Sequence, residues 1–412
     1  MEEKYLVMVD ATDNHNKFYK MLPDSAGSTF KVEYGRVGAR PATRVYPASE
    51  FNNKYQEKIR KGYLDKTDLH KTVETLVTSQ NKYRAIEDNE VRELVDKMLS
   101  WADIVIKKNY AVSEDQVNQD AIDRAQNILN KLAVYDKSVR GFNSLLQELF
   151  SVIPRAMKSV DKMLASKKSD YPEIIAREQA LLDTMAGKVS STPPRKNTVD
   201  SKNSSNNASL TILEANALNI RPCSIEEIKT IREYLDSETN ARFIKAWHCE
   251  NKDTREKFNA YIQKHKIRRS GIKFLYHGSR NNCYWNIIKQ GLKIRPTQKV
   301  TRSGKMFGTG LYFAPKAKKS VGYTSSGFWA SRTGSANYSS NSVLLLVFKV
   351  AMGKTKDIHV WNNACSKLDE ASIRQQGYDS VFAHQGTSLR NDECIVYNDD
   401  ACTLSYIIEL AS

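Results

Sequence analysis

The chain comprises 412 residues with a formal charge of +16 and a pI near 9.3. That length is too great for one ordinary core and predicts about two to four domains. No stretch approaches the roughly 18 apolar residues needed to cross a bilayer, and the start, MEEKYLVMVDATD, lacks the basic-then-apolar pattern of a secretion signal, so an intracellular, soluble protein with no membrane partner is expected.

Residues 1–70 predict a small antiparallel sheet: YLVMV, a polar turn DATDNHN, KFYKM, then FKVEYGRVG. Phe51, Tyr55 and Ile59 at four-residue spacing predict a short helix before KGY. Lys31, Arg36, Arg40, Arg44, Lys54, Lys58, Arg60, Lys61 and Lys66 outnumber the four acids of 31–66, enough for a basic patch able to meet a polyanion. A solvated face accounts for that composition as well. Lys and Arg exceed Asp and Glu by only 15 to 14 over residues 1–90, and again by 15 to 14 over 91–190; the excess, 33 to 19, lies in 191–412.

From about 74 to 188 the period becomes helical. Ile122, Ala125, Leu129 and Leu132 line one face of AIDRAQNILNKLA, and Leu145, Leu149 and Val152 do so in SLLQELFSVIP before Pro154 ends the run. Further helical runs fall at 91–108 and 172–186, which makes a bundle whose carboxylates show no metal-like clustering. Residues 189–209, VSSTPPRKNTVDSKNSSNNAS, hold almost no large apolar side chain and predict a flexible linker.

Residues 210–412 open with helices, SIEEIKTIREYL and NKDTREKFNAYIQKH, and continue as strands: FLYHGSR, the nearly continuous apolar SVLLLVFKVAMG, DECIVYN and LSYIIEL. Cys223, Cys249, Cys283, Cys365, Cys394 and Cys402 form no C-x-x-C pair, so neither a zinc site nor a disulfide framework is expected, and no metal. Four features carry chemistry here. They are His277 at a strand end, the glycine-rich MFGTGLYFA, Ser320 with Tyr323 in KKSVGYT, and Glu393 at the start of a strand. Each alone has an ordinary structural explanation.

In order and spacing, YHGSR, IIKQGLKI, MFGTGLYFA, KKSVGYT, VLLLVFKVAMG and DECIVYN resemble the catalytic domain of the poly(ADP-ribose) polymerase family. NKFYKM with FKVEYGRVGAR and KGY is similar to that family's tryptophan-glycine-arginine domain, and the bundle with LFSVIP to its helical regulatory domain. The resemblance implies an α+β multidomain chain: an antiparallel DNA-binding domain at 1–80, an all-α regulatory bundle at 81–188, the linker 189–209, and at 210–412 a mixed α/β ADP-ribosyltransferase fold with a split β-sheet core.

It further implies NAD+ as substrate. His277 would bond a ribose hydroxyl, and the Gly278 backbone and the Ser320 hydroxyl the nicotinamide carboxamide. Tyr312 and Tyr323 would sandwich the nicotinamide ring, with Lys319 beside them. Glu393 would stabilise the oxocarbenium-like transition state and orient the acceptor hydroxyl, completing a His277, Tyr312, Glu393 triad. Tyr34, which stands where the namesake tryptophan is expected, and Arg36 would meet DNA, Arg36 through a phosphate or else serving an interdomain contact. Partners would be DNA strand breaks and acceptor proteins including the chain itself, with a monomer in the absence of DNA, in a nucleus or nucleoid. The activity implied is polymer synthesis switched on by DNA breaks; single ADP-ribose transfer to protein or DNA ends, or a silent DNA-end scaffold, stay open. Three departures from the family pattern bear on the acceptor site: SVGYT for the common SANYC, Lys305 where tyrosine is usual, and a long segment at 325–342.

Overall fold

A computed structural model of the chain describes residues 1–67, 83–189, 210–295, 306–324 and 342–412. The predicted linker from 190 onward, Lys305 and the long segment at 325–341 lie outside the described residues. Packing divides the chain into two compact units, Met1–Asn81 with Asp103–Thr192, and Lys82–Ala102 with Pro193–Ser412.

In the first unit, strands β1 (Lys4–Asp10), β2 (His15–Pro23), β3 (Thr29–Arg36), β4 (Ala42–Pro47) and β5 (Leu64–Asp65) form an antiparallel sheet in the order β4-β3-β2-β1-β5. Alternation along the strands puts Leu6, Tyr19, Met21, Phe30 and Val32 in one core, closed by Phe51 of helix α1 (Phe51–Arg60). Strand β4 carries no apolar alternation: all of its residues but Tyr46 are exposed, Val45 at 64%.

Helix α2 (Asn89–Asn109) is followed by α3 (Gln119–Val134), α4 (Val139–Val152) and α5 (Tyr171–Val189). Asn118 and Ser138 cap α3 and α4 by accepting from the amides of Ala121 and Gly141. All four predicted face residues of α3 are buried. In α4 the expected Leu149 and Val152 are buried, but Leu145 lies at the margin of a stripe that starts three residues earlier, at Phe142, and runs through Leu146 and Phe150. Beyond Pro154, the buried Arg155 guanidinium pairs with the buried Glu178 carboxylate, which Arg177 also contacts at 3.0 Å.

In the second unit, β6 (Leu218–Pro222), α6 (Ile225–Tyr234), α7 (Ser237–Ala241), β7 (Phe243–Asn251), α8 (Lys252–Lys264), β8 (Ile272–His277), α9 (Tyr284–Gln290), β9 (Leu311–Phe313), α10 (Ala317–Val321), β10 (Ser342–Ala351), β11 (Thr355–Ile358), α11 (Glu370–Gln375), β12 (Ser380–Ala383), β13 (Glu393–Val396) and β14 (Cys402–Ala411) follow one another. They build two sheets, β6-β7-β14-β10-β8 and β11-β12-β13-β9, joined where Tyr276 and Ala314 exchange two backbone hydrogen bonds of 2.9 Å. This is the split β-sheet core expected.

Strand β10 is buried at every residue but Lys349, as its unbroken apolar run predicts. Its even-numbered Leu344, Leu346, Phe348 and Val350 pack in a cluster with Val91, Leu94, Val95, Met98 and Trp101 of α2 and with Tyr284 and Trp285. Its odd-numbered Val343, Leu345 and Val347 face Ile231, Leu235 and Ala317. Burying each such side chain contributes about 1.5–3 kcal/mol, which fixes β10 and, through it, the end of β8 where His277 stands.

Candidate active site

Strand β8 pairs antiparallel with β10, His277 opposite Leu346, and its last residue emerges beside β9. There the His277 Nδ1 lies 3.0 Å from the Tyr312 carbonyl oxygen. A carbonyl only accepts, so Nδ1 carries the proton. Burial pushes the imidazole pKa below 6.5, outweighing the opposite pull of the Tyr312 carbonyl, and the ring is neutral with Nε2 left as an acceptor. Phe313 and Phe348 meet it edge-on at 5.9 and 6.2 Å.

The glycine after it answers first to the protein. A Cβ at Gly278 would stand 1.8 Å from the Ser320 carbonyl oxygen, so this close approach of α10 to the loop already demands glycine before any ligand is considered. Neither the amide nor the carbonyl of Gly278 has a hydrogen-bond partner among the described residues. Ser320 itself is 3% exposed and its hydroxyl is likewise unpartnered among them. Two adjacent backbone groups and a buried hydroxyl are the donor and acceptor set that a primary carboxamide needs.

Tyr312 lies in β9 with its hydroxyl donating to the Gly308 carbonyl at 2.9 Å and accepting from the Phe307 amide at 3.1 Å. The MFGTG turn is thereby tied to the ring. Gly308 has φ +82°, and a Cβ there would meet the Leu368 carbonyl oxygen at 2.0 Å. Strand β13 runs antiparallel to β9, Ile395 opposite Tyr312, and starts at Glu393. The Lys319 Nζ donates to Glu393 Oε1 at 2.6 Å and to the Asp392 carbonyl at 3.1 Å, so α10 and β13 are pinned by an ion pair. One turn beyond Ser320, Tyr323 is 48% exposed. Burial raises the pKa values of both Tyr323 and Tyr312; the Phe307 amide opposes this at Tyr312, and the Glu393 charge adds to it at both.

Thus His277 meets Tyr312, Gly278 meets Ser320, and Lys319, next to Ser320, meets Glu393. Sequence reasoning did not find the residues that hold this arrangement. The Tyr284 hydroxyl, fully buried, donates to the Ser279 carbonyl at 2.8 Å and also contacts the Leu344 carbonyl, fixing the loop after His277. Asp236 Oδ2 accepts from the Lys318 amide at 2.9 Å at the start of α10. The Leu344 and Lys318 partners lie 60 and 82 residues away, too far for a local signal.

In the first unit, Tyr34 is half-buried on β3 with its ring 6.0 Å from that of Tyr19. Arg36 donates to the Asn14 carbonyl at 2.9 Å and the Lys158 carbonyl at 2.7 Å, and also reaches Asn14 Oδ1 and the Met157 carbonyl. Asn16 Nδ2 donates to the Arg155 carbonyl at 2.9 Å.

Residues 225–412 match the profile of the poly(ADP-ribose) polymerase catalytic domain, and residues 2–70 that of the WGR domain. A poly [ADP-ribose] polymerase-like protein, 100L, of Invertebrate iridescent virus 6 is 31% identical over 47% of this chain and 98% of its own length. The chain belongs to the poly(ADP-ribose) polymerase family. It is similar over nearly its whole length to poly [ADP-ribose] polymerase 2 of Zea mays, at 22% identity over 97% of this chain and 68% of that one. An uncharacterized protein, 101L, of the same virus is 28% identical over 48% of this chain and 83% of its own. Membership makes the protein an ADP-ribosyltransferase, and the catalytic domain implies NAD+ as its substrate. Among the described residues no helix is long and apolar enough to cross a membrane.

Proposed function

We propose that this protein is a DNA-dependent poly(ADP-ribose) polymerase, in which Glu393 is the catalytic residue for both NAD+ cleavage and chain elongation. The observation that supports the reading is the Lys319–Glu393 pair at 2.6 Å, which ties the carboxylate at the start of β13 to the helix that carries Ser320. The carboxamide bonds the Gly278 amide and carbonyl and the Ser320 hydroxyl, while His277 Nε2 accepts from a ribose hydroxyl. Each ring contact of Tyr312 and Tyr323 contributes about 0.5–1.5 kcal/mol beyond area burial. As the nicotinamide–ribose bond breaks, positive charge develops on the sugar. A carboxylate bonded to the 2′-hydroxyl stabilises that state more than the ground state, and the same group then polarises the incoming acceptor hydroxyl.

Activation by DNA is the second half of the proposal. Residues 1–80 act as the break sensor and 81–188 as the restraint. The WGR match and the basic residues of 31–66 support a phosphate-binding surface. Asn14 of the β1–β2 turn, Asn16 of β2 and Arg36 of β3 are hydrogen-bonded to residues 155–160 of the helical region, a direct mechanical link from sensor to restraint. Moving the restrained state from 99:1 to 1:99 takes about 5.5 kcal/mol of differential binding, within reach of several phosphate contacts at modest salt.

Labelled NAD+ supplied to the full chain with a blunt duplex, resolved on a gel, tests the product. A high-molecular-weight smear is expected, with the protein itself among the acceptors. A single sharp band would instead identify single ADP-ribose transfer.

A further inference from the structure

Strand β8 is an edge strand of its five-stranded sheet, and only its C-terminal end is closed by the other sheet. The direction of its peptide groups can be read from both ends. The Gly271 carbonyl accepts from the Gly353 amide at 3.1 Å, on the β10 side, whereas the Tyr276 amide and carbonyl bond Ala314, on the opposite side. Peptide groups alternate along a strand, so odd-numbered residues face β10 and even-numbered ones face outward. The Phe274 amide and carbonyl and the Ile272 carbonyl therefore point to the open edge, and among the described residues none of the three has a partner; the Ile272 amide is satisfied by the Arg269 carbonyl.

Beside this edge runs a cavity of about 900 Å³ lined by Phe274, Tyr276, Ile231, Phe382, Cys394 and Tyr406. Phe274 is 54% exposed, a large apolar side chain left at the rim with its ring 6.2 Å from that of Tyr406. The charged rim is positive. Lys273 and Lys349 are exposed without an ion pair among the described residues, Lys349 Nζ lying 5.7 Å from the Phe274 ring, while the acid at the rim, Glu227, is neutralised by Arg221 at 2.7 and 2.8 Å.

A donor and two acceptors in strand register, unpaired among the described residues, with an apolar cavity alongside and the exposed Lys349 on its face, are complementary to one kind of occupant. We propose that the open half of β8 docks an extended segment of a partner protein as a sixth strand, with an apolar side chain in the cavity and a flanking acidic residue at Lys349, which stands opposite Phe274 on the same face. The edge lies on the same strand as His277, so the docked segment holds its protein next to the reaction centre without occupying the NAD+ site.

The test uses the full chain and a fluorescent peptide, acetyl-Glu-Val-Phe-Val-Glu-amide, read by anisotropy, with hydrogen exchange as the second measurement. Saturable binding below about 1 mM is expected, with slowed exchange at the Phe274 amide. Phe274→Pro deletes the outward donor without removing a β8–β10 bond and should weaken binding about tenfold or more, whereas Phe274→Leu, which keeps the donor, should bind within about threefold. Lys349→Glu should weaken binding and flatten its salt dependence. No saturation and no exchange protection, or equal binding by Phe274→Pro, would overturn the proposal. So would a concentration-dependent dimer of the free chain that Phe274→Pro abolishes, since the edge would then belong to a second copy.

Discussion

Glu393 is held by a cation that also binds the carbonyl of the residue before it, so replacing the carboxylate by an amide changes charge at nearly constant shape. Glu393→Gln should lower the rate of nicotinamide release by roughly 10²–10³ with a smaller change in KM for NAD+; a fall of less than about fivefold would remove Glu393 from the chemistry. His277 makes a prediction about pH. Its folded pKa lies below its ordinary 6.5, so the unfolded chain takes up a proton first as pH falls, and stability declines from about pH 6.5 downward. Above that pH the residue contributes nothing to the slope. If the neutral ring is the active form, kcat/KM for NAD+ should hold steady through pH 6.5 and fall only below it; an acid limb centred above 6.5 that His277→Gln removes would contradict the assignment. Gly278→Ala should move α10, since its Cβ would stand 1.8 Å from the Ser320 carbonyl oxygen. The expected result is a large rise in KM for NAD+, read by initial rates.

At the scale of elements, much was legible. The apolar run of β10 announced a strand buried on both faces, and the face of α3 appeared residue by residue. Strand β4 was silent because its side chains are exposed, and β7 because its sequence, FIKAWHCEN, mixes charged and aromatic residues without clean alternation. The order of motifs brought out His277, Tyr312, Ser320 and Glu393. It could not show that Lys319 pairs with a carboxylate 74 residues away, nor that Gly278 is required by the backbone of α10, because both are tertiary contacts. The buried Arg155–Glu178 pair was invisible for the same reason. Glu178→Ala leaves a buried guanidinium without its main counter-charge and should cost about 3–5 kcal/mol, measured as a shift in the urea midpoint; a change below about 1 kcal/mol would mean that the pair is solvated.

Over the whole molecule, charge and architecture point the same way. The C-terminal half carries nearly all the basic excess, while the N-terminal sheet carries a local patch of arginines and lysines and a clamp onto the helical region. Alanine at Arg36 breaks that clamp, and the expected consequence is a smaller ratio of DNA-stimulated to basal activity with KM for NAD+ unchanged in the basal state. The most direct test of the whole account is the rate of labelled ADP-ribose incorporation by the full chain, with and without a blunt DNA duplex, at about 50 and 200 mM salt. Strong stimulation by DNA is expected at the lower salt and much less at the higher. Equal incorporation with and without DNA at both salts would contradict it.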